Sequence, residues 1–221
     1  MRIISTLIFL LLLAPFSTTT AQNKRGKSET NRVFMELGPS QVWLQGNDQL
    51  GADLNDVGFT FGVGWCKPLN GPLYTHTGVF VARKGNRLSD QLIDATGQPI
   101  GLADIRTRQD YLIVPYMVRL ELGERIRFYL EGGAYGGLLI RAEQIAGNTG
   151  PQFAPIETTE TLQRIDYGLL GGTGIVINVF DNFCGTIGAR YNHGLYNISK
   201  GADVVNNATL DLRIGIGVWL P

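Results

Sequence analysis

From Arg125 to Ile140 the chain alternates with a period of two. Ile126, Phe128, Leu130, Gly132, Ala134 and Leu138 fall on one parity, and Arg125, Arg127, Tyr129, Glu131, Gly133 and Tyr135 on the other. Such alternation predicts an extended strand with one face in an apolar medium and the other in a polar one. The preceding segment repeats it: Leu112, Val114, Tyr116, Val118, Leu120 and Leu122 share a face opposite Arg119 and Glu121. Near the C-terminus Ala208, Leu210, Leu212, Ile214, Ile216 and Val218 alternate with Asn207, Thr209, Asp211, Arg213, Gly215 and Gly217. Phe183–Tyr196, Arg164–Phe180 and Val57–Lys67 continue the pattern, and Val33–Leu44 and Leu73–Lys84 read as less regular strands.

Eight strands result. The links between them are Gln45–Asp56, Pro68–Pro72, Gly85–Arg108, Gly123–Glu124, Arg141–Gln163, Asp181–Asn182 and Ser199–Asn206. Long and short links alternate throughout. Transmembrane barrels have this organisation, with short periplasmic turns, long outer loops and an even strand count. The sequence therefore predicts an all-β fold, an eight-stranded antiparallel up-and-down transmembrane β-barrel.

A soluble barrel of the lipocalin kind would also alternate, with its apolar face turned inward. Three features favour the membrane orientation. The apolar faces are almost free of charge. The opposite faces mix Gly, Thr and Tyr with charges of both signs and little Lys. Trp43, Trp65, Tyr116, Tyr167, Tyr191 and Trp219 fall mostly near strand ends, where interfacial girdles belong. The lumen then holds a polar network of Glu36, Arg119, Glu121, Arg127, Glu131, Asp166, Arg190, Asp211 and Arg213. Eight strands leave an interior that side chains fill, so these charges are expected to pair with one another. An ion path lined by Arg127, Glu131, Arg190 and Arg213 is the functional alternative.

The N-terminus changes the picture once more. Arg2, the apolar run Ile3–Leu13 and the small residues ending at Ala21 have the three parts of a secretory signal peptide. This predicts cleavage after Ala21, a polar lead-in over 22–32 and a barrel domain over 33–221, delivered to the cell outer membrane. Acidic and basic residues balance at 19 each, which gives no sign of a nucleic-acid partner. The expected partners are outer-membrane lipids, the barrel-assembly machinery during biogenesis, and a protein or surface partner at the outer loops.

Tyr111-Leu112-Ile113-Val114-Pro115, the Arg119 strand and Phe128-Tyr129-Leu130-Glu131-Gly132-Gly133 together resemble the PorT-like outer-membrane β-barrel family of Bacteroidota-type bacteria. Asp166-Tyr167-Gly168-Leu169-Leu170-Gly171-Gly172 and Gly188-Ala189-Arg190-Tyr191-Asn192-His193-Gly194-Leu195 carry the same resemblance. It implies an eight-stranded outer-membrane barrel of OmpA/OmpX-like architecture and accounts for Pro115 inside a strand; it implies no particular activity. Two departures stand out. The chain ends Val218-Trp219-Leu220-Pro221 rather than in an aromatic, so Trp219 would serve as the terminal aromatic from an internal position. Pro39 predicts a bulge or a late start in the first strand.

Candidates for chemistry are few. His76 and His193 are the only histidines, and no Ser or Asp is placed to make either a base beside a nucleophile. The expectation is a non-enzymatic barrel, with no catalytic residue, cofactor or metal site. Cys66 and Cys184 sit on strands nearly opposite around the ring, which favours two free, lumen-facing thiols. The glycines of 168–174 lack the Lys and helix of a nucleotide loop and read as strand glycines packed in a tight barrel.

Overall fold

The computed structural model describes residues 30–46, 53–93, 98–147, 155–180, 182–201 and 204–220. The proposed signal peptide and most of the lead-in lie outside the described residues. The strands in chain order are β1 (Arg32–Gly46), β2 (Asp53–Leu54), β3 (Asp56–Pro68), β4 (Leu73–Ile93), β5 (Pro99–Gly123), β6 (Ile126–Gly147), β7 (Ile156–Glu157), β8 (Ile165–Asn178), β9 (Phe183–Gly194) and β10 (Val205–Trp219). Eight form the wall. The antiparallel order β4-β3-β1-β10-β9-β8-β6-β5 closes on itself through β4–β5, while β2 and β7 add short pairings to β4 and β6. The first and last wall strands meet at Arg32 and Trp219.

Alternation is written directly into this wall. On β6 Leu130 is 64 % exposed and its neighbour Glu131 only 4 %. The outward side bears Phe61, Val63, Val118, Phe128, Leu138, Leu169, Ile187, Leu212, Ile214 and Ile216, all well exposed, around the whole circumference. No water-soluble barrel presents such a continuous apolar belt. The soluble arrangement is inverted here: charges face in and hydrocarbon faces out, the arrangement of a transmembrane barrel.

Short turns gather at one end. In the Leu69–Pro72 turn, Leu69 N–H donates to the carbonyl of Leu73 at 2.8 Å, and Gly71 takes φ +59°, a conformation that favours glycine. Glu124–Arg125 and Val179–Asn182 make the other two short links. Both prolines sit where the ladder can spare an N–H. The β1–β10 register skips Gly38 and Pro39, between Leu37↔Ile214 and Ser40↔Asp211. Likewise the β4–β5 register skips from Thr77↔Tyr116 to Phe80↔Ile113 beside Pro115, whose carbonyl accepts from Thr77 Oγ1 at 2.8 Å.

At the other end the expected boundaries change. The segment Gly85–Arg108, expected as a loop, begins and ends as strand, and Arg141–Gln163 begins as strand through Gly147. β4 and β5 stay paired from Leu73↔Leu120 out to Ile93↔Pro99, and β5 pairs with β6 as far as Asp104↔Gly147. A three-stranded extension thus stands above the barrel rim. Two further segments cross the mouth. Thr159 Oγ1 bonds the Ala142 backbone, Leu162 bridges Ser199, and Ile198, fully buried, exchanges backbone bonds with Gln163 and Val205.

Glycine gives the inner wall room for large side chains. A Cβ on Gly188 would lie 2.0 Å from the Tyr129 hydroxyl, and one on Gly174 2.7 Å from it. Gly188→Val is therefore expected to destabilise the barrel by ~1–3 kcal/mol through overpacking, read as a lower urea midpoint. An unchanged midpoint would mean that Tyr129 is free to move aside.

Candidate functional site

Among the described residues, chemistry-bearing side chains concentrate in the lumen. Period-two geometry turns the side chains of Glu36, Arg119, Glu121, Arg127, Glu131, Asp166, Arg190, Asp211 and Arg213 inward, each at most 8 % exposed. Glu131 is the hub. Arg119 donates to its Oε2 from Nε (2.8 Å) and Nη2 (2.6 Å), and Arg190 to its Oε1 from Nε (2.9 Å) and Nη2 (2.6 Å). Arg213 links Glu36 at 3.1 Å to Asp211 at 3.0 Å, and Asn192 donates to Asp211 at 3.0 Å. Glu121 faces Arg32, Arg119 at 3.8 Å and Arg127 at 3.4 Å. Charges buried this deeply persist only when paired and hydrogen-bonded, which is what these bonds supply.

Three members of the network escape a reading of the sequence. Arg32, assigned above to the lead-in, opens β1 and bonds Glu121. His76, assigned no partner, is fully buried, with Nδ1 3.0 Å from Glu131 Oε2 and 2.7 Å from Arg119 Nη2. Lys84 donates to Asp166 at 2.8 Å, against the rings of Tyr111 and Tyr135. Parity could have found Arg32, which is in phase with Glu36; His76 and Lys84 share the inner face of β4 with Tyr74, Phe80 and Ala82, where polarity does not mark the phase.

The interior is also less polar than expected. Phe80, Ala82, Tyr111, Ile113, Met117, Leu139 and Leu170 form an apolar layer toward the long-loop end. Phe34, Cys66, Tyr129, Val176 and Cys184 form another toward the short-turn end. The two cysteines are free and buried, on strands separated by β1 and β10. Trp219 corrects another expectation. It packs inward on that second layer, its ring 4.5 Å from the Arg32 guanidinium and 4.7 Å from that of Arg127. It closes the lumen rather than joining a girdle, because it shares parity with Arg213, Gly215 and Gly217. Ala208, placed on the outward parity, is buried beside its register partner Trp43. Outside, Trp43 stacks on Tyr191, Tyr191 on His193, and Tyr167 packs on Tyr196, an aromatic group near the long-loop end.

Between the charged hub and the apolar layer, the cavity lined by Thr60, Phe80, Pro115, Arg190 and Asp211 measures about 10 Å³. That is room for roughly one water. Among the described residues no cluster of His, Cys, Asp and Glu could hold a metal ion.

A model of the outer membrane protein beta-barrel domain family matches residues 20–200. The chain belongs to that family. It is accordingly an outer-membrane β-barrel protein. Its fold is similar to that of Neisserial surface protein A, at 17 % identity and TM-score 0.49 over 85 % of this chain and 97 % of that one. A major outer membrane protein from Thermus thermophilus gives 12 % identity and TM-score 0.49, over 86 % of this chain and 99 % of that one. OprG from Pseudomonas aeruginosa gives 10 % and 0.47, over 87 % and 98 %. None of the curated proteins matches the chain.

Proposed function

We propose that this outer-membrane barrel has a structural or interaction role, with a closed lumen and its contact surface on the strand extension beyond the long-loop rim. The observation that carries this reading is the filled interior. Glu131 holds Arg119, Arg190 and His76 across the middle of the barrel, and Trp219 packs over the short-turn end. An ion path through Arg127, Glu131, Arg190 and Arg213 would need those guanidiniums to leave their carboxylates. No base–nucleophile pair stands among the inward groups named above, which supports a barrel without enzymatic activity. The motifs around Pro115, Glu131 and Arg190 support a finer placement in the PorT-like branch.

Planar-bilayer recording tests the reading. The refolded protein is expected to leave the membrane at baseline conductance; steady ohmic steps would favour a narrow pore for small solutes. A second expectation concerns the extension. Deleting its tip, residues 88–104, is expected to leave a correctly assembled barrel, since the wall pairing of β3 with β4 runs only from Pro68↔Tyr74 to Thr60↔Ala82. Loss of assembly in the deletion variant would place the extension in the folding core instead.

A further inference from the structure

The turn between β3 and β4 brings together two residues that react with one another. Asn70-Gly71 is the one Asn-Gly pair in the sequence, and both residues are exposed. Gly71 takes φ +59°, and a Cβ there would meet nothing within 4 Å, so its backbone lies open. Other groups hold the turn. Leu69 N–H donates to the Leu73 carbonyl at 2.8 Å, Leu73 N–H to the Asn70 carbonyl at 3.2 Å, and Glu121 N–H to the Pro72 carbonyl at 2.9 Å. Among the described residues, neither the Asn70 side chain nor the Gly71 N–H takes part in a hydrogen bond.

Three other asparagine amides show the contrast. Asn192 donates to Thr209 at 2.7 Å and Asp211 at 3.0 Å, and Asn207 donates to Asp166 at 3.1 Å. Asn197 Oδ1 accepts from the backbone of Ser199 at 3.0 Å and of Val205 at 2.9 Å. Each of the three is followed by a residue with a side chain: His193, Ala208 and Ile198.

From this turn we infer that Asn70 is the asparagine at which the chain first deamidates, spontaneously and with water as the co-reactant. The Gly71 backbone nitrogen attacks the Asn70 side-chain carbonyl carbon and closes a five-membered succinimide. That nitrogen gives up its proton, and the side-chain nitrogen leaves as ammonia. No electrons change hands. Glycine favours the closure, because it has no side chain to crowd the attack and the least restricted backbone. Water then opens the ring. Attack at the former side-chain carbonyl gives aspartate, which keeps the turn and adds one negative charge. Attack at the main-chain carbonyl gives isoaspartate, and the chain then runs through the former side chain. The turn gains one methylene, and the carbonyl used by Leu73 N–H becomes a carboxylate. The bonds at Leu69 and Glu121 involve no atom of Asn70, so the barrel stays closed while its short-turn end changes.

The test follows the refolded full barrel in non-ionic micelles through a long incubation in mildly alkaline buffer made with heavy-oxygen water. Peptide mass spectrometry is expected to find Asn70 converted ahead of every other asparagine, with one heavy oxygen taken up for the nitrogen lost. Fragmentation that separates the isomers should find isoaspartate as well as aspartate. Asn70→Gln lengthens the side chain by one methylene and is expected to abolish conversion at this position over the same period. Gly71→Ala is expected to slow it severalfold. Should alanine at a positive φ prevent folding, Asn70→Gln alone decides, since it leaves the backbone unchanged. Asn70 still intact when an unfolded peptide of the same turn has converted would overturn the inference, because the folded turn then withholds the attack. Earlier conversion at another asparagine overturns it too, as does equal uptake of heavy oxygen at position 70 in Asn70→Gln.

Discussion

Replacing Glu131 with leucine is expected to cost the folded barrel about 3–5 kcal/mol. The carboxylate takes two donors from Arg119 and two from Arg190, and His76 lies beside it. Leucine removes the negative charge and leaves two guanidiniums facing one another inside a closed ring of strands. Glu36, the next carboxylate, approaches Arg190 no closer than 4.0 Å and is already committed to Arg213 at 3.1 Å. It cannot take over. Reversible urea unfolding in lipid vesicles, followed by tryptophan emission, gives the number. Glu131→Gln keeps two polar atoms in place and should lose less than leucine does. A loss below about 1 kcal/mol for leucine would mean that water reaches the hub and solvates the arginines, contrary to a filled lumen.

One residue away, Leu130→Arg is expected to cost about 2–4 kcal/mol for a different reason. Leu130 points out of the wall within the part of β6 that is paired on both sides, to Leu120 and to Thr173, and is 64 % exposed. In lipid a charge there has neither water nor a partner. The same substitution at Val57, on the outward face at the start of β3, should cost only about 0–1 kcal/mol, because it sits near the interface. The gradient with height is the signature of a bilayer. If both variants lost the same amount, the outward face would not be in a bilayer.

The adjacency of these two residues shows why so much of this fold can be read from sequence. Lipid on one side and a packed lumen on the other impose a period of two on every wall strand, and each inward charge announces its own phase. Arg119, Glu121, Arg127 and Glu131 declare the inner face of β5 and β6 in this way. The signal fails where one of the two media ends. Beyond Ala82 and Tyr111 the outward face turns polar: Arg83 and Asp110 pair there at 2.7 Å, and polar residues appear on both parities. Backbone pairing nevertheless continues, and strand is mistaken for loop.

The signal also fades where the inner face is itself apolar. On β4, Tyr74, Phe80 and Ala82 point inward with His76 and Lys84, so little polarity contrast marks the phase. His76 and Lys84 were hidden by their neighbours. Arg32 was hidden by position, at the junction of a polar lead-in with β1. Trp219 was hidden by its surroundings: aromatics near strand ends suggest a girdle, yet its ring turns inward against the guanidiniums of Arg32 and Arg127. No single-strand pattern reports which groups wait across the barrel. The same holds for the Glu121 cluster, because Arg32, Glu121 and Arg127 come together only when the ring closes.

The central claim is that the apolar face meets lipid and the charged face is sealed inside. Heat-modifiability tests it most directly. Purified outer membranes are solubilised, and the protein is run on a gel with and without boiling. The unboiled form is expected to migrate differently from the boiled one, with the protein recovered in the outer membrane. A protein found soluble in the periplasm, migrating alike with and without boiling, would contradict it.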